Sequence, residues 1–152
     1  MQILSEFADA VVAALNAGVA DSAFAAGINF TAERFVLPQK NLKDYAGLTV
    51  LASALDFEKK PLNPRFVNWS IDVDVLTIQK VNDKTSATLD ALLAVVGVMA
   101  SKAVLETVLT TANGHAEWTA TASRPYFDRD RLMTKNTFYS KVTYTYTTNR
   151  HR

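Results

Sequence analysis

Phe66-Val67-Asn68-Trp69-Ser70-Ile71-Asp72-Val73-Asp74-Val75-Leu76-Thr77-Ile78-Gln79-Lys80-Val81 is the stretch whose reading decides the fold. Its Val, Ile and Thr side chains branch at Cβ, which favours extended backbone over helix. Ile71, Val73 and Val75 alternate with Asp72 and Asp74. A period of two puts the apolar set on one face of a strand and both carboxylates on the other. A strand of this length is expected to twist or bulge.

The flanks extend this pattern in both directions. Immediately upstream lies Phe57-Glu58-Lys59-Lys60-Pro61-Leu62-Asn63-Pro64-Arg65. Its charges and two prolines predict an exposed connection between strands, because proline has no ladder donor. Further upstream, Leu48, Val50, Ala52 and Ala54 alternate with Thr49, Leu51, Ser53 and Leu55 and predict a second strand. Another is predicted over residues 28–37, ended by Pro38. At the start of the chain, Ile3, Leu4, Phe7, Ala8, Val11, Val12 and Leu15 recur at helical spacing, with Gly18 as the expected stop and residues 19–26 as a linker.

Downstream, Asn82-Asp83-Lys84-Thr85-Ser86 reads as a turn rich in helix caps. Leu89, Leu92, Leu93, Val96, Met99 and Ala100 then predict a helix over 89–102, weakened at Gly97 unless close packing needs it. Ala116, Trp118, Ala120 and Ala122 predict a fourth strand, and Phe138, Ser140, Val142, Tyr144 and Tyr146 a fifth. The expectation is an α+β domain spanning residues 1–152, a mostly antiparallel β-sheet of about four to five strands with two packed α-helices. Two helices cannot cover both faces of such a sheet, so the remaining apolar face is expected to meet a neighbouring subunit.

Composition narrows the chemistry. With 152 residues, 49% apolar and 20% charged, the chain has the balance of a globular domain with a real core. Lys and Arg total 16 against 15 Asp and Glu, and no basic run interrupts that parity, so sequence-specific nucleic-acid binding is not expected. There is no cysteine, which removes disulfides, thiolate metal sites and cysteine nucleophiles. The first residues lack the positive region of a secretory signal. The uncharged run over 91–100 is too short to span a bilayer, so no membrane association is expected.

Candidate catalytic groups are few. The two histidines are His115, after the turn dipeptide Asn113-Gly114, and His151, expected to be disordered near the end. Neither has a triad-like context. No phosphate-cradling glycine loop or nucleophile elbow occurs. No catalytic residue, cofactor or metal is therefore expected.

Asp72 and Asp74 allow three readings: a polar face toward solvent or a subunit contact, a divalent-cation site completed by Asp90 or Asp128, or acidic groups facing a pore. Tyr126, Phe127, Arg129 and Arg131 lie in a segment whose Asp128 and Asp130 offset the arginine charge. Such a mixture fits a protein-docking loop better than a nucleic-acid surface. Trp69 and Trp118 sit in alternating strands and read as core or interface residues.

Four blocks occur in a telling order. They are Leu42-Lys43-Asp44 with Gly47-Leu48-Thr49-Val50-Leu51, then Ile71-Asp72-Val73-Asp74-Val75 with Gln79-Lys80-Val81. Leu89-Asp90-Ala91-Leu92-Leu93-Ala94-Val95-Val96 follows, and the aromatic strand Phe138-Tyr139-Ser140-Lys141-Val142-Thr143-Tyr144-Thr145-Tyr146 closes the series. This arrangement, over residues 35–147, resembles phage and prophage neck proteins of the tail-terminator family.

The resemblance implies a structural virion protein, a subunit of a homo-oligomeric ring, commonly a hexamer. Such a ring caps the tail tube, stops its polymerisation and joins tail to head. Its implied partners are further copies of the chain, the tail tube protein and a head–tail connector or stopper, with genomic DNA crossing the lumen. The implied location is the virion neck, after assembly in the host cytoplasm. Lys59 and Lys60, with Tyr126, Phe127, Arg129 and Arg131, are the candidate contact residues; Asp72 and Asp74 are candidate lumen or interface acids. Competing readings are a head-completion (stopper) or connector protein, a small ligand-binding or enzymatic α+β domain, and a host-directed inhibitor.

Overall fold

The computed structural model describes residues 2–20, 29–35, 47–81, 86–99, 105–123, 133 and 136–151. In chain order its elements are α1 (Gln2–Ala20), β1 (Ala32–Arg34), β2 (Thr49–Pro61), β3 (Phe66–Lys80), α2 (Ser86–Met99), β4 (Leu109–Thr111), β5 (Gly114–Ala122) and β6 (Thr137–His151). Among the described residues, six strands form one sheet in the order β1-β2-β3-β6-β5-β4. The β1–β2 pair is parallel and every other pair is antiparallel.

This corrects the expected sheet of four to five strands. The fold is α+β only in broad terms: it is dominated by a mixed sheet curled into a half-barrel. The missed strand is β4, and a second correction concerns the length of β2. β4 has three residues, too few to display an alternation. The segment from Phe57 to Pro61, whose charges suggested a connection, is the second half of β2, paired with β3 residue for residue as far as Pro61 opposite Val67. An exposed hairpin arm accepts those charges because its side chains remain in water, and Pro61 occupies the last pair. The turn is made by Asn63, whose Oδ1 accepts from the amides of Arg65 (2.8 Å) and Phe66 (2.9 Å).

Period-two patterning sorts the sheet into two faces. Ile71, Val73 and Val75 of β3 and Phe138, Val142, Tyr144 and Tyr146 of β6 are buried on the inner face. Phe7, Ala8, Val11 and Leu15 of α1 and Leu92, Val95 and Val96 of α2 complete the same core. Each Å² of apolar surface these side chains remove from water favours the fold by roughly 25 cal/mol.

α1 has the length and hydropathy of a membrane span, yet its apolar stripe is used against the sheet. It also runs through Gly18 to Ala20, where a stop was expected. Asn16 explains how it holds β1: its Oδ1 accepts from the Ala32 amide (2.8 Å) and its Nδ2 donates to the Ala32 carbonyl (3.3 Å). The side chain thus acts as a short surrogate strand for that edge. At the other end of the sheet, Gly114 has φ of +145°, a conformation open to glycine, and lets the chain turn directly from β4 into β5.

β2 and β3 do not stay in step. Between Ala54 and Asp56 the register shifts by one residue. Upstream, Val50, Ala52 and Ala54 face the core. Downstream, Asp56 lies opposite Asp72 and Phe57 opposite Ile71. The expected irregularity therefore falls on β2, not β3, and it directs Phe57 inward and Asp56 outward.

Candidate functional site: an exposed arm and a hydroxyl–carboxylate face

On the outer face, β3 presents Ser70, Asp72 and Asp74 opposite Thr147, Thr145 and Thr143 of β6. Thr145 Oγ1 donates to Asp72 Oδ1 and Thr143 Oγ1 to Asp74 Oδ1, each at 2.7 Å. Short hydrogen bonds of this kind hold the two carboxyl groups in one orientation. On the other side of β3, Asp56 lies opposite Asp72, so this part of the face is negative. Asp90 is exposed on α2, and Asp128 lies outside the described residues. Among the described residues no group of three or more His, Asp or Glu side chains is placed to hold a metal ion.

Tyr139, with Phe35, packs on a small apolar cluster of Leu51, Leu76 and Ile78 at one end of this face. Toward the opposite end, Asn68, His115, Glu117, Thr147, Thr148 and Asn149 line a polar recess of about 310 Å³. His115 lies 3.4 Å from Thr110 Oγ1 through Nδ1, and its backbone carbonyl accepts from Thr148 Oγ1. It is a strand-edge residue of β5.

The β2–β3 arm carries two exposed large apolar groups, while Val108 and Met133 are exposed elsewhere. Phe57 is 43% exposed and Leu62, at the tip, 55%. The rings of Phe57 and Trp69 are 5.4 Å apart, and Lys59 Nζ lies 5.3 Å from the Trp69 ring centre. A cation over an indole face is favourable by about 0.5–1 kcal/mol at an exposed site, so this stack is modestly ordered. Lys59, Pro61, Val67, Trp69 and His151 line a depression of about 510 Å³ beside it. His151, expected to be disordered, ends β6 and stacks on Phe66 at 4.3 Å. Lys60 pairs with Glu58 at 3.3 Å, both well exposed, so this contact adds little stability.

The structure thus places Lys59 and Lys60 on opposite faces of one exposed strand, and Asp72 and Asp74 together on the outer face. Tyr126, Phe127, Arg129 and Arg131 lie outside the described residues. Trp118 packs on the core and donates from Nε1 to Thr121 Oγ1 at 2.8 Å, a structural role.

Sequence reasoning missed a polar clasp. Arg150 Nη2 lies 2.6 Å from Glu6 Oε1 and 3.2 Å from Thr111 Oγ1. Asn113 donates to Glu6 through its backbone amide (3.2 Å) and Nδ2 (3.1 Å). Burial opposes ionisation of Glu6, but the hydrogen bonds from Thr111, Arg150 and Asn113 outweigh it and hold the carboxyl at about 2. One signal was available: Arg150 is in phase with Tyr144, Tyr146 and Thr148, which places it on the inner face, where a charge needs a partner.

Compared with known proteins, the chain matches no protein-family model and no curated protein.

Proposed function

We propose that this chain is a tail terminator subunit of a long-tailed phage or prophage, a structural protein of the virion neck. It assembles into a ring, six-membered in the family it resembles. The ring caps the tail tube, stops tube polymerisation and joins the tail to the head connector. The observation that carries the reading is the order of the four sequence blocks, from Leu42 through the aromatic strand ending at Tyr146.

Two surface features support it. The arm offers Phe57, Leu62 and Trp69 beside Lys59 and Lys60, an aromatic and cationic mixture suited to protein contacts. The outer face carries Asp72 and Asp74, each oriented by a threonine hydroxyl that donates to it. A wall of that kind repels a phosphate backbone, so DNA passes without sticking. The work is done by surface complementarity: one ring face matches the tube and the other does not template a further tube ring.

The test is electron microscopy of particles made after the gene is inactivated. Overlong, unattached tails are expected. Tails of normal length beside leaking, tail-less heads would reassign the chain to a head-side stopper, and intact infectious particles would overturn both.

A further inference from the structure

We infer that Asn113 is a deamidation site kept in check by Glu6, and that its reaction unfastens α1 from the β4–β5 hairpin irreversibly. Of the chain's asparagines, Asn113 alone precedes a glycine.

An asparagine deamidates when the backbone nitrogen of the next residue reaches its Cγ. That nitrogen gives up its proton to water and bonds to Cγ, closing a five-membered succinimide. The Cγ–Nδ2 bond breaks, and Nδ2 takes a proton back and departs as ammonia. Water then opens the ring at Cγ, giving aspartate, or at the main-chain carbonyl, giving isoaspartate. Water is the one reagent consumed, and nothing is oxidised or reduced. Glycine favours closure because no Cβ crowds the attacking nitrogen. Gly114 has φ of +145° and open space where a Cβ would stand. Both residues are exposed, so water reaches them.

In the folded chain Asn113 is held away from this reaction. Its Nδ2 donates to Glu6 Oε2 at 3.1 Å and its backbone amide to Glu6 Oε1 at 3.2 Å. Bonds from both nitrogens to one carboxylate draw the side chain toward its own amide. Closure needs Cγ over the nitrogen that follows, so Nδ2 must first leave Glu6. Gly114 is restrained as well: it pairs with Thr111 across the hairpin, and its carbonyl accepts from Thr111 Oγ1 at 3.1 Å. Glu6 is itself fixed, with a side chain 6% exposed and Arg150 Nη2 at 2.6 Å. Its carboxylate accepts both bonds and has no proton to hand the departing nitrogen.

The product reverses the contact. Oxygen replaces Nδ2, so a donor 3.1 Å from Glu6 becomes a second carboxylate in the same place. Two carboxylates sharing a site oppose each other's ionisation, and Arg150 is already engaged by Glu6 and Thr111. Isoaspartate also adds one carbon to the main chain, inside the tight turn between the paired Thr111 and Gly114. Both changes fall where the first turns of α1 meet the hairpin, and loss of ammonia makes them permanent.

The experiment follows the exchange of NH for O at Asn113 by peptide mapping and mass spectrometry, with the full chain incubated at mildly alkaline pH. Folded wild type is expected to react many-fold more slowly than the same chain in urea. Glu6→Gln leaves a single acceptor for two donors and should speed the reaction several-fold while the chain stays folded. Val73→Ala is the control: it empties buried space on β3 and loosens the whole fold without touching Asn113. A rate set by local opening at Glu6 stays near wild type in that variant. Asn113→Asp stands for the product. It should lower Tm by several degrees and expose the first turns of α1 to hydrogen exchange, more than the uncharged Asn113→Ser does.

Equal rates for folded and urea-unfolded wild type would overturn the check by Glu6. So would a Glu6→Gln rate no higher than that of Val73→Ala. An Asn113→Asp chain as stable as Asn113→Ser would overturn the unfastening.

Discussion

Replacing Glu6 by Gln tests whether α1 is fastened to the sheet by charge. Glu6 has a side chain 6% exposed and Arg150 one 18% exposed, so water does little to compensate if one charge is lost. The Glu6 carboxyl falls from 4.5 to about 2 in the fold. At roughly 1.4 kcal/mol per pH unit, that corresponds to about 3 kcal/mol in favour of the ionised form. Gln keeps an oxygen for the Asn113 amide but turns an NH₂ group, or a neutral oxygen, toward the guanidinium. Arg150 retains its bond to Thr111 and some solvent, so the expected loss is about 2–3 kcal/mol, at or below the range for breaking a buried pair.

For a chain of this size such a loss corresponds to a Tm drop of about 5–10 °C. The pH dependence carries the sign. Because the folded value lies below the unfolded one, the Glu6 contribution is complete above about pH 4.5 and is lost as the pH falls toward 2. Urea unfolding of wild type and Glu6→Gln at pH 7, 4 and 2 measures it. The gap should be widest at pH 7 and at least halved by pH 2. A gap below about 0.5 kcal/mol at pH 7, within the scatter of ordinary surface substitutions, would refute the reasoning, and so would a large gap that does not shrink in acid.

Three further outcomes follow from the packing. Phe7→Ala empties a fully buried site whose ring meets Tyr146 edge-on at 6.5 Å; a loss of about 3–5 kcal/mol is expected by denaturant titration. Tyr146→Phe removes the donor that meets the Leu105 carbonyl at 2.5 Å in a buried setting. It should cost about 1–3 kcal/mol in the same assay by leaving that acceptor unmet. Phe57→Ser, on the half-exposed arm, should change monomer stability by less than about 1 kcal/mol while weakening self-association measured by light scattering, which separates docking from folding.

The parts of the fold legible in the sequence are those whose signal is local and repeated. Ile71, Val73 and Val75 against Asp72 and Asp74 gave β3 its two faces, and Phe7, Val11 and Leu15 placed α1 on the core. The arm was illegible because Glu58, Lys59, Lys60 and Pro61 look the same in a solvated hairpin as in a loop; only pairing with β3 tells them apart. The parallel β1–β2 contact leaves no local trace either. At the candidate site, the shared face of Asp72 and Asp74 follows from period two alone. Their bonds to Thr145 and Thr143 depend on the register of strands some seventy residues apart. The clasp of Glu6 and Arg150 joins the two ends of the described chain, and no pattern within either end specifies the other.

The register shift between Ala54 and Asp56 has a consequence for anyone recombining this chain with another. Residues before and after it obey opposite parity, so the arm is a cassette with its own phase. A graft cut downstream of the shift can exchange the tip and leave the body untouched. A graft that brings an uninterrupted strand across residue 55 would arrive inverted, with Glu58 delivered to the aromatic side and Phe57 to water. Swaps of this hairpin among chains of differing strand length therefore sort into tolerated and lethal by whether they carry the extra residue, however similar their side chains.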